Sequence, residues 1–308
     1  MQKLLVLFIV LGLTIEMSGQ IDSSNAGYTT RISSFEWMPD GNSLLLAIVK
    51  HHKTDGQAPF YSKVVLYELQ SRNFTSLFDD GSSLSISPDG KTIVYLKRSE
   101  QNRTDIHFYN LRTGEKSIVK VDTLPKFALS WIPGGNRLVY NVRRGSGPSA
   151  TVNICVLDLA TKKVRQITNN ENYKSYSPMP GPDGKLIGYY IEKGDGHDQV
   201  WLTDINGSFH KNLTNDTATH NYYPGWIDDK NIFYTQSPEV FMIMDIDGKI
   251  KRRIEDINAT PVRYNTKTSK FAYIKSEQEN KLMIYDWKTK ISSEVLDGTV
   301  LMDLFRGE

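Results

Sequence analysis

The sequence predicts an all-β protein, a single β-propeller of six four-stranded antiparallel blades. Three observations predict it: a tight-turn motif recurring at blade-like spacing, β-rich runs placed alike around each copy, and an aromatic-rich composition. The motif appears as Pro39-Asp40-Gly41, Pro88-Asp89-Gly90 and Pro182-Asp183-Gly184, with Pro133-Gly134-Gly135 as a reduced copy. The four prolines stand 49, 45 and 49 residues apart. Two further copies are worn to Ile227-Asp228-Asp229-Lys230 and Asn265-Thr266-Lys267-Thr268.

Proline presets φ at the first central position of a tight turn, and Asp and Gly supply local hydrogen bonding and a permissive backbone. Each turn is preceded by an aromatic or apolar residue (Trp37, Ile86, Trp131, Trp226 or Tyr264) and followed by a β-rich run such as Leu44 to Val49 or Leu186 to Ile191. A polar loop and a second apolar run follow, then a shorter closing run such as Val164 to Thr168. Asn206-Gly207 and Asp247-Gly248 mark the turn between third and fourth strands. One such sheet cannot bury both faces alone; radial stacking does so and leaves only short edges. Six copies fit between roughly residue 35 and residue 298. A seven-bladed count stays open, because Leu296-Asp297-Gly298 echoes the approach to a first strand. That tail either begins another inner strand or completes the ring beside the first blade. Residues 20–34 form an N-terminal segment in which 28–34 are a candidate outer closing strand, and 35–308 are assigned to the propeller.

The composition of 16 Tyr, 12 Phe and 5 Trp suits pleated, half-buried surfaces. Lys and Arg total 37 against 35 Asp and Glu, a net +2, which argues against a nucleic-acid binder. Residues 1–19 read as a signal peptide: Lys3, an apolar run from Leu4 to Ile15, then Ser18 and Gly19. No later segment is long and apolar enough for a transmembrane helix, so the expected product is a soluble periplasmic or secreted monomer. Cys155, the one cysteine, lies in an apolar run and is expected to pack as a small buried hydrophobe.

The stretch Arg165-Gln166-Ile167-Thr168, Pro182-Asp183-Gly184-Lys185, Val200-Trp201 and Asp204-Ile205-Asn206-Gly207 resembles the TolB-type propeller repeat. Asn212-Leu213-Thr214 and Tyr223-Pro224-Gly225-Trp226 carry the resemblance onward. It implies an exported bacterial propeller, and a propeller-only relative, since the repeats begin too soon for the α/β domain that precedes the propeller in TolB itself.

Geometry places the blade-to-blade loops and the second-to-third-strand loops at one channel mouth. The binding candidates there are His52, Arg98, Arg143, Arg144, Tyr173, Tyr176, Asp195, His197, His220, Tyr222 and Tyr223. Aromatic, Arg and His side chains converging on one rim suit recognition of a protein or glycan. No catalytic residue is assigned, since G-x-S-x-G is absent and no base stands beside Cys155. No metal ligand set is assigned either, because the histidines lack a local ligand motif and only ring closure would gather His52, His197 and His220. No cofactor is expected. The basic run Lys249 to Arg253 reads as a solvated edge that discourages strand pairing. The expected function is a non-enzymatic scaffold that binds another envelope or secreted protein; the alternative is a carbohydrate-active or small-ligand propeller, including a metal-assisted lyase or hydrolase.

Overall fold

The computed structural model describes residues 27–305 apart from 53–60, 99–102, 170, 172, 194–196, 217, 239, 256, 258–260 and 276–279. The expected signal peptide and residues 20–26 lie outside the described residues. The rest is a succession of short strands, arranged as a single β-propeller. The first quartet is β1 (Tyr28–Trp37), β2 (Ser43–His52), β3 (Tyr61–Glu68) and β4 (Phe74–Asp79). The second is β5 (Ser82–Ile86), β6 (Thr92–Arg98), β7 (Thr104–Asn110) and β8 (Lys116–Val119). Next come β9 (Lys126–Ile132), β10 (Arg137–Arg144), β11 (Thr151–Asp158) and β12 (Val164–Gln166). Then follow β13 (Lys174–Pro180), β14 (Leu186–Glu192), β15 (Gln199–Asp204) and β16 (His210–Asn212). The last two quartets are β17 (Asn221–Asp228), β18 (Asn231–Gln236), β19 (Val240–Asp245), β20 (Ile250–Ile254), and β21 (Val262–Asn265), β22 (Lys270–Ile274), β23 (Leu282–Asp286), β24 (Ile291–Leu296).

Within each quartet the strands pair antiparallel in chain order. The expectation of six separate four-stranded sheets is corrected: hydrogen bonding gives five sheets, four of four strands and one of eight. The eight-stranded sheet arises because β11 and β13 meet at one parallel pair, Val152 with Lys174.

The turn chemistry read from the sequence is what joins first to second strands. The N–H of Gly41 donates to the Met38 carbonyl at 2.9 Å, and those of Gly90 and Gly184 repeat the bond three residues back. All three glycines hold φ near +70°, where a side chain would be strained. Asp40 and Asp183 accept the N–H two residues on, at 2.9 Å in both turns. In the worn fifth copy Asp228 takes over, accepting from Lys230 and Asn231.

Burial explains why the second strands read as continuous apolar runs. Leu44 through Ile48 are fully buried, covered on both faces by neighbouring quartets. The outer strands β8, β12 and β20 are almost wholly exposed and correspondingly polar. Each buried cluster joins two consecutive quartets, for example Tyr140 and Cys155 with Val94 and Leu96. One of them joins Ile284 and Leu282 of the last quartet to Phe35, Leu44 and Ile48 of the first.

That seam closes the ring without any strand passing between the termini among the described residues. The Trp37 indole donates to the Arg263 carbonyl at 3.1 Å, as the Trp226 indole does to the Met179 carbonyl at 2.8 Å at an internal seam. Asn280 accepts the Ile32 N–H at 3.0 Å and donates to the Thr30 carbonyl at 3.1 Å. Residues 28–34 therefore belong to the inner strand β1, paired with β2 from Tyr28–His52 onward, and not to the outer edge of the last quartet. The tail forms a 3-10 helix, Gly298–Phe305, that buries Leu301 and Phe305 against the first quartet rather than starting another strand.

Candidate functional site

Inner strands of this fold carry a repeated irregularity. Pairing slips between Ser82 and Ser85 in β5, between Phe127 and Ser130 in β9, between Tyr176 and Met179 in β13, and between Tyr222 and Gly225 in β17. At each slip one non-glycine residue sits at positive φ: Ser83, Ala128, Ser177 and Tyr223, at +49°, +50°, +50° and +52°. A bulge of this kind re-aims side chains that would otherwise alternate between faces. Left-handed backbone at an aromatic residue is unfavourable and persists only where surroundings enforce it.

The consequence is clearest in β17. Tyr222 and Tyr223, consecutive in sequence, both contact the ring of Tyr190, with centroids 6.5 and 5.4 Å away. Tyr190 stacks on Tyr176 at 5.4 Å, and Tyr176 meets Phe127 at 6.0 Å. Burial pushes the Tyr190 phenol above its ordinary range, and Tyr223 adds to this by its charge and hydrogen bond. The Tyr176 phenol is raised by burial and then by Glu192, whose carboxylate lies 2.8 Å from the Lys174 ammonium.

A second group adjoins these rings. His197 and His220 stack with centroids 6.2 Å apart, and His220 Nδ1 lies 3.4 Å from the Asp198 carboxylate. Asp198 is close enough to raise both Tyr190 and Tyr176. The loop before β17 is held by Gln199, buried at 3 % exposure, whose Oε1 accepts from Thr214 Oγ1 at 2.7 Å and from the Asp216 N–H at 2.8 Å.

The structure thus brings together Tyr176, Tyr222, Tyr223, His197 and His220, with Arg143 near enough to oppose the rise at Tyr176. Tyr173 stands apart, exposed beneath the Lys193 ammonium and lining a separate groove of about 350 Å³ with Tyr189, Trp201 and His210. His52 packs edge-on against Tyr28 in the first quartet at 5.2 Å. Arg98 ends β6 and Arg144 ends β10, both exposed. Asp195 lies outside the described residues. The idea that ring closure gathers His52 with His197 and His220 is not met: among the described residues no three His, Cys, Asp or Glu are grouped to hold a metal ion.

Sequence reasoning missed two features. Tyr190 is the hub of the tyrosine cluster, and its strand position gives it no loop signal. The other is a cavity of about 330 Å³ at the opposite channel mouth, beside the Pro-Asp-Gly turns, lined by Trp37, Trp131, Trp226, Tyr264, Glu36 and Arg263. The repeated aromatic before each turn was the available signal. There Arg263 Nε lies 3.3 Å from Glu36 Oε2; burial raises the Glu36 carboxyl and Arg263 opposes the rise.

Cys155 is buried at 3 % exposure, and burial pushes its thiol up to about 11.

Comparison with known proteins matches this architecture. Over 148 residues the chain is 26% identical to dipeptidyl-peptidase 5 of Porphyromonas gingivalis, a match covering 44% of this chain and 20% of that protein. The chain thus spans about a fifth of the length of that relative. Among solved structures, TolB from Acinetobacter baumannii superposes with a TM-score of 0.62 at 15% identity, covering 87% of this chain and 79% of that one. An oligogalacturonate lyase in complex with manganese gives a TM-score of 0.62 at 16% identity, covering 88% and 78%. The TolB beta propeller domain matches residues 81–260, more than half of the sequence, and the chain belongs to that family.

Proposed function

We propose that the protein is an exported, monomeric and non-enzymatic scaffold whose loop face binds another envelope or secreted protein. One observation carries this reading. The β17 bulge turns two consecutive tyrosines onto one partner ring, assembling Tyr176, Tyr190, Tyr222 and Tyr223 beside the His197–His220 stack. Clustered tyrosines bury large area at low entropic cost and are enriched at interfaces. Likeness to TolB supports placement in the periplasm or outside the cell. We also count the eight-stranded sheet as two blades, six in the ring, because its halves share one residue pair and the buried clusters join every quartet to the next.

Reversible cross-linking in the source cells, followed by mass spectrometry, tests the reading. A defined partner recovered with the wild type and lost with Tyr222→Ala/Tyr223→Ala supports it. Equal recovery with both proteins sinks it.

A second reading is favoured by the His197–His220–Asp198 group and by likeness to the lyase: a small-ligand site on the same face, taking an acidic sugar. It predicts ligand-dependent thermal stabilisation, about 2.7 kcal/mol at a hundredfold excess over Kd. No stabilisation across a panel of acidic sugars, with and without divalent metal, removes it.

A further inference from the structure

The basic run on β20 does more than line a solvated edge. Lys251 is ion-paired with Asp245 at 2.8 Å and Arg253 with Glu255 at 3.3 Å, so two of its charges are balanced locally. Arg252 is different. Its guanidinium lies over the Trp287 ring, 4.9 Å from the centroid, across the seam to the last quartet. Lys290, in the turn between β23 and β24, places its ammonium over the same ring at 3.6 Å.

Two cations therefore share one indole, no farther apart than the sum of those distances. The arrangement is held from both sides. Trp287 packs edge-on against Phe271 at 5.8 Å, in the cluster that also contains Ile254. The Lys290 ammonium also donates to the Trp287 carbonyl. Asp286, whose charge acts on Lys290, also caps its turn, accepting the N–H groups of Lys288 at 2.9 Å and Thr289 at 3.0 Å. Cation–π attraction offsets part of the cost of such a pair but leaves two like charges at one ring. Desolvation, and then the charge of Arg252, lower the Lys290 ammonium below its ordinary value, and the Asp286 carboxylate opposes this in part.

We propose that this seam is a binding site for a phosphate group. A phosphate carries close to two negative charges near neutral pH and presents oxygens in diverging directions. Two of them suit the planar donor fork of Arg252, and a third suits the Lys290 ammonium as a point charge. The Trp287 ring anchors both cations at this seam. The group arrives either as free phosphate or on a lipid headgroup.

Calorimetric titration with sodium phosphate at fixed ionic strength tests the site, comparing the full chain with Arg252→Gln/Lys290→Gln and with Arg252→Lys/Lys290→Arg. Flotation with phosphatidate-containing vesicles, against vesicles of phosphatidylcholine alone, separates the two sources. Both substituted residues are exposed, and matching thermal melts without phosphate confirm that the variants fold. The expected result is saturable binding by the wild type, weakened about tenfold or more in the glutamine variant and weakened less in the charge-preserving one, which keeps both cations but moves the guanidinium fork. Flotation lost in the glutamine variant assigns the lipid; phosphate binding without flotation assigns the free anion. No saturable binding in either arm, or equal binding by the glutamine variant, overturns the proposal.

Discussion

Asn141 of β10 holds the bulge of the next inner strand: its Oδ1 accepts the N–H of Ser177, the residue at positive φ, at 3.0 Å. Its Nδ2 donates to the Ser175 carbonyl at 2.8 Å. Asn141 is completely buried, so the backbone groups it satisfies have little access to water. Tyr176 lies between the two bonded residues, and the carboxamide therefore links quartet packing to the tyrosine cluster.

Replacing Asn141 with Leu, close in size, removes the bonds to the Ser177 N–H and the Ser175 carbonyl. The expected loss is about 2–3 kcal/mol, read as a lower urea midpoint with an unchanged slope. A loss below about 0.5 kcal/mol would mean that the bulge does not depend on this side chain.

Gly225 follows the β17 bulge where no side chain fits. A Cβ there would stand 2.1 Å from Phe233 Cζ. Gly225→Ala should cost about 1–3 kcal/mol through overpacking and displace Tyr222 and Tyr223, while Gly188→Ala, whose Cβ would stand in ordinary contact 3.5 Å from Pro224 Cβ, should cost less. Thermal melts and tyrosine near-ultraviolet dichroism of the two variants check this.

Ring closure depends on the 3-10 helix at the end of the chain. Phe305 is 1 % exposed and packs with Leu301 on the first quartet, and Lys63 donates to the Leu304 carbonyl at 3.1 Å. Phe305→Ala is expected to lower stability by about 3 kcal/mol, whereas Ile118→Ala, on an exposed outer strand, should change it by less than about 0.5 kcal/mol. Hydrogen exchange should show the loss first in β1 and β24.

Cys155 should be chemically silent in the folded protein. Its thiol is pushed up to about 11 and is covered by Tyr140 and its neighbours. A thiol reagent at pH 8 is expected to react only after urea is added; rapid native labelling would contradict the packing.

Acid should weaken the turns. Asp158, Asp245 and Asp286 each sit at the end of a third strand and are lowered below the ordinary carboxylate range: Asp158 by the N–H and hydroxyl of Thr161, Asp245 by Lys251 and the Lys249 N–H, Asp286 by the Thr289 N–H. A depressed folded-state value means the stabilisation is complete above the unfolded value, about 3.9 for Asp, and is lost as pH falls through the folded one. Melting temperature should therefore fall below about pH 4, and less steeply in a variant with all three changed to Asn.

The fold was legible because its turns are chemical. Pro-Asp-Gly and Asn-Gly need particular backbone angles, and the apolar runs between them state which strands are buried on both faces. The bulges were not legible, since Ser83, Ala128, Ser177 and Tyr223 have no one residue type common to all four and their φ is imposed by neighbours such as Asn141. For the same reason the loop-face tyrosines were visible as candidates, but Tyr190, which binds them into one group, was not. The single parallel pair joining β11 to β13 has no sequence signature at all.

A photoreactive phenylalanine analogue placed at Tyr223, and separately at Ile118 on the outer strand β8, tests the loop-face interface most directly. Cross-linking in the source cells should give one discrete protein adduct from position 223 and none from 118. Adducts of the same identity from both positions, or none from 223 under any growth condition, would contradict it.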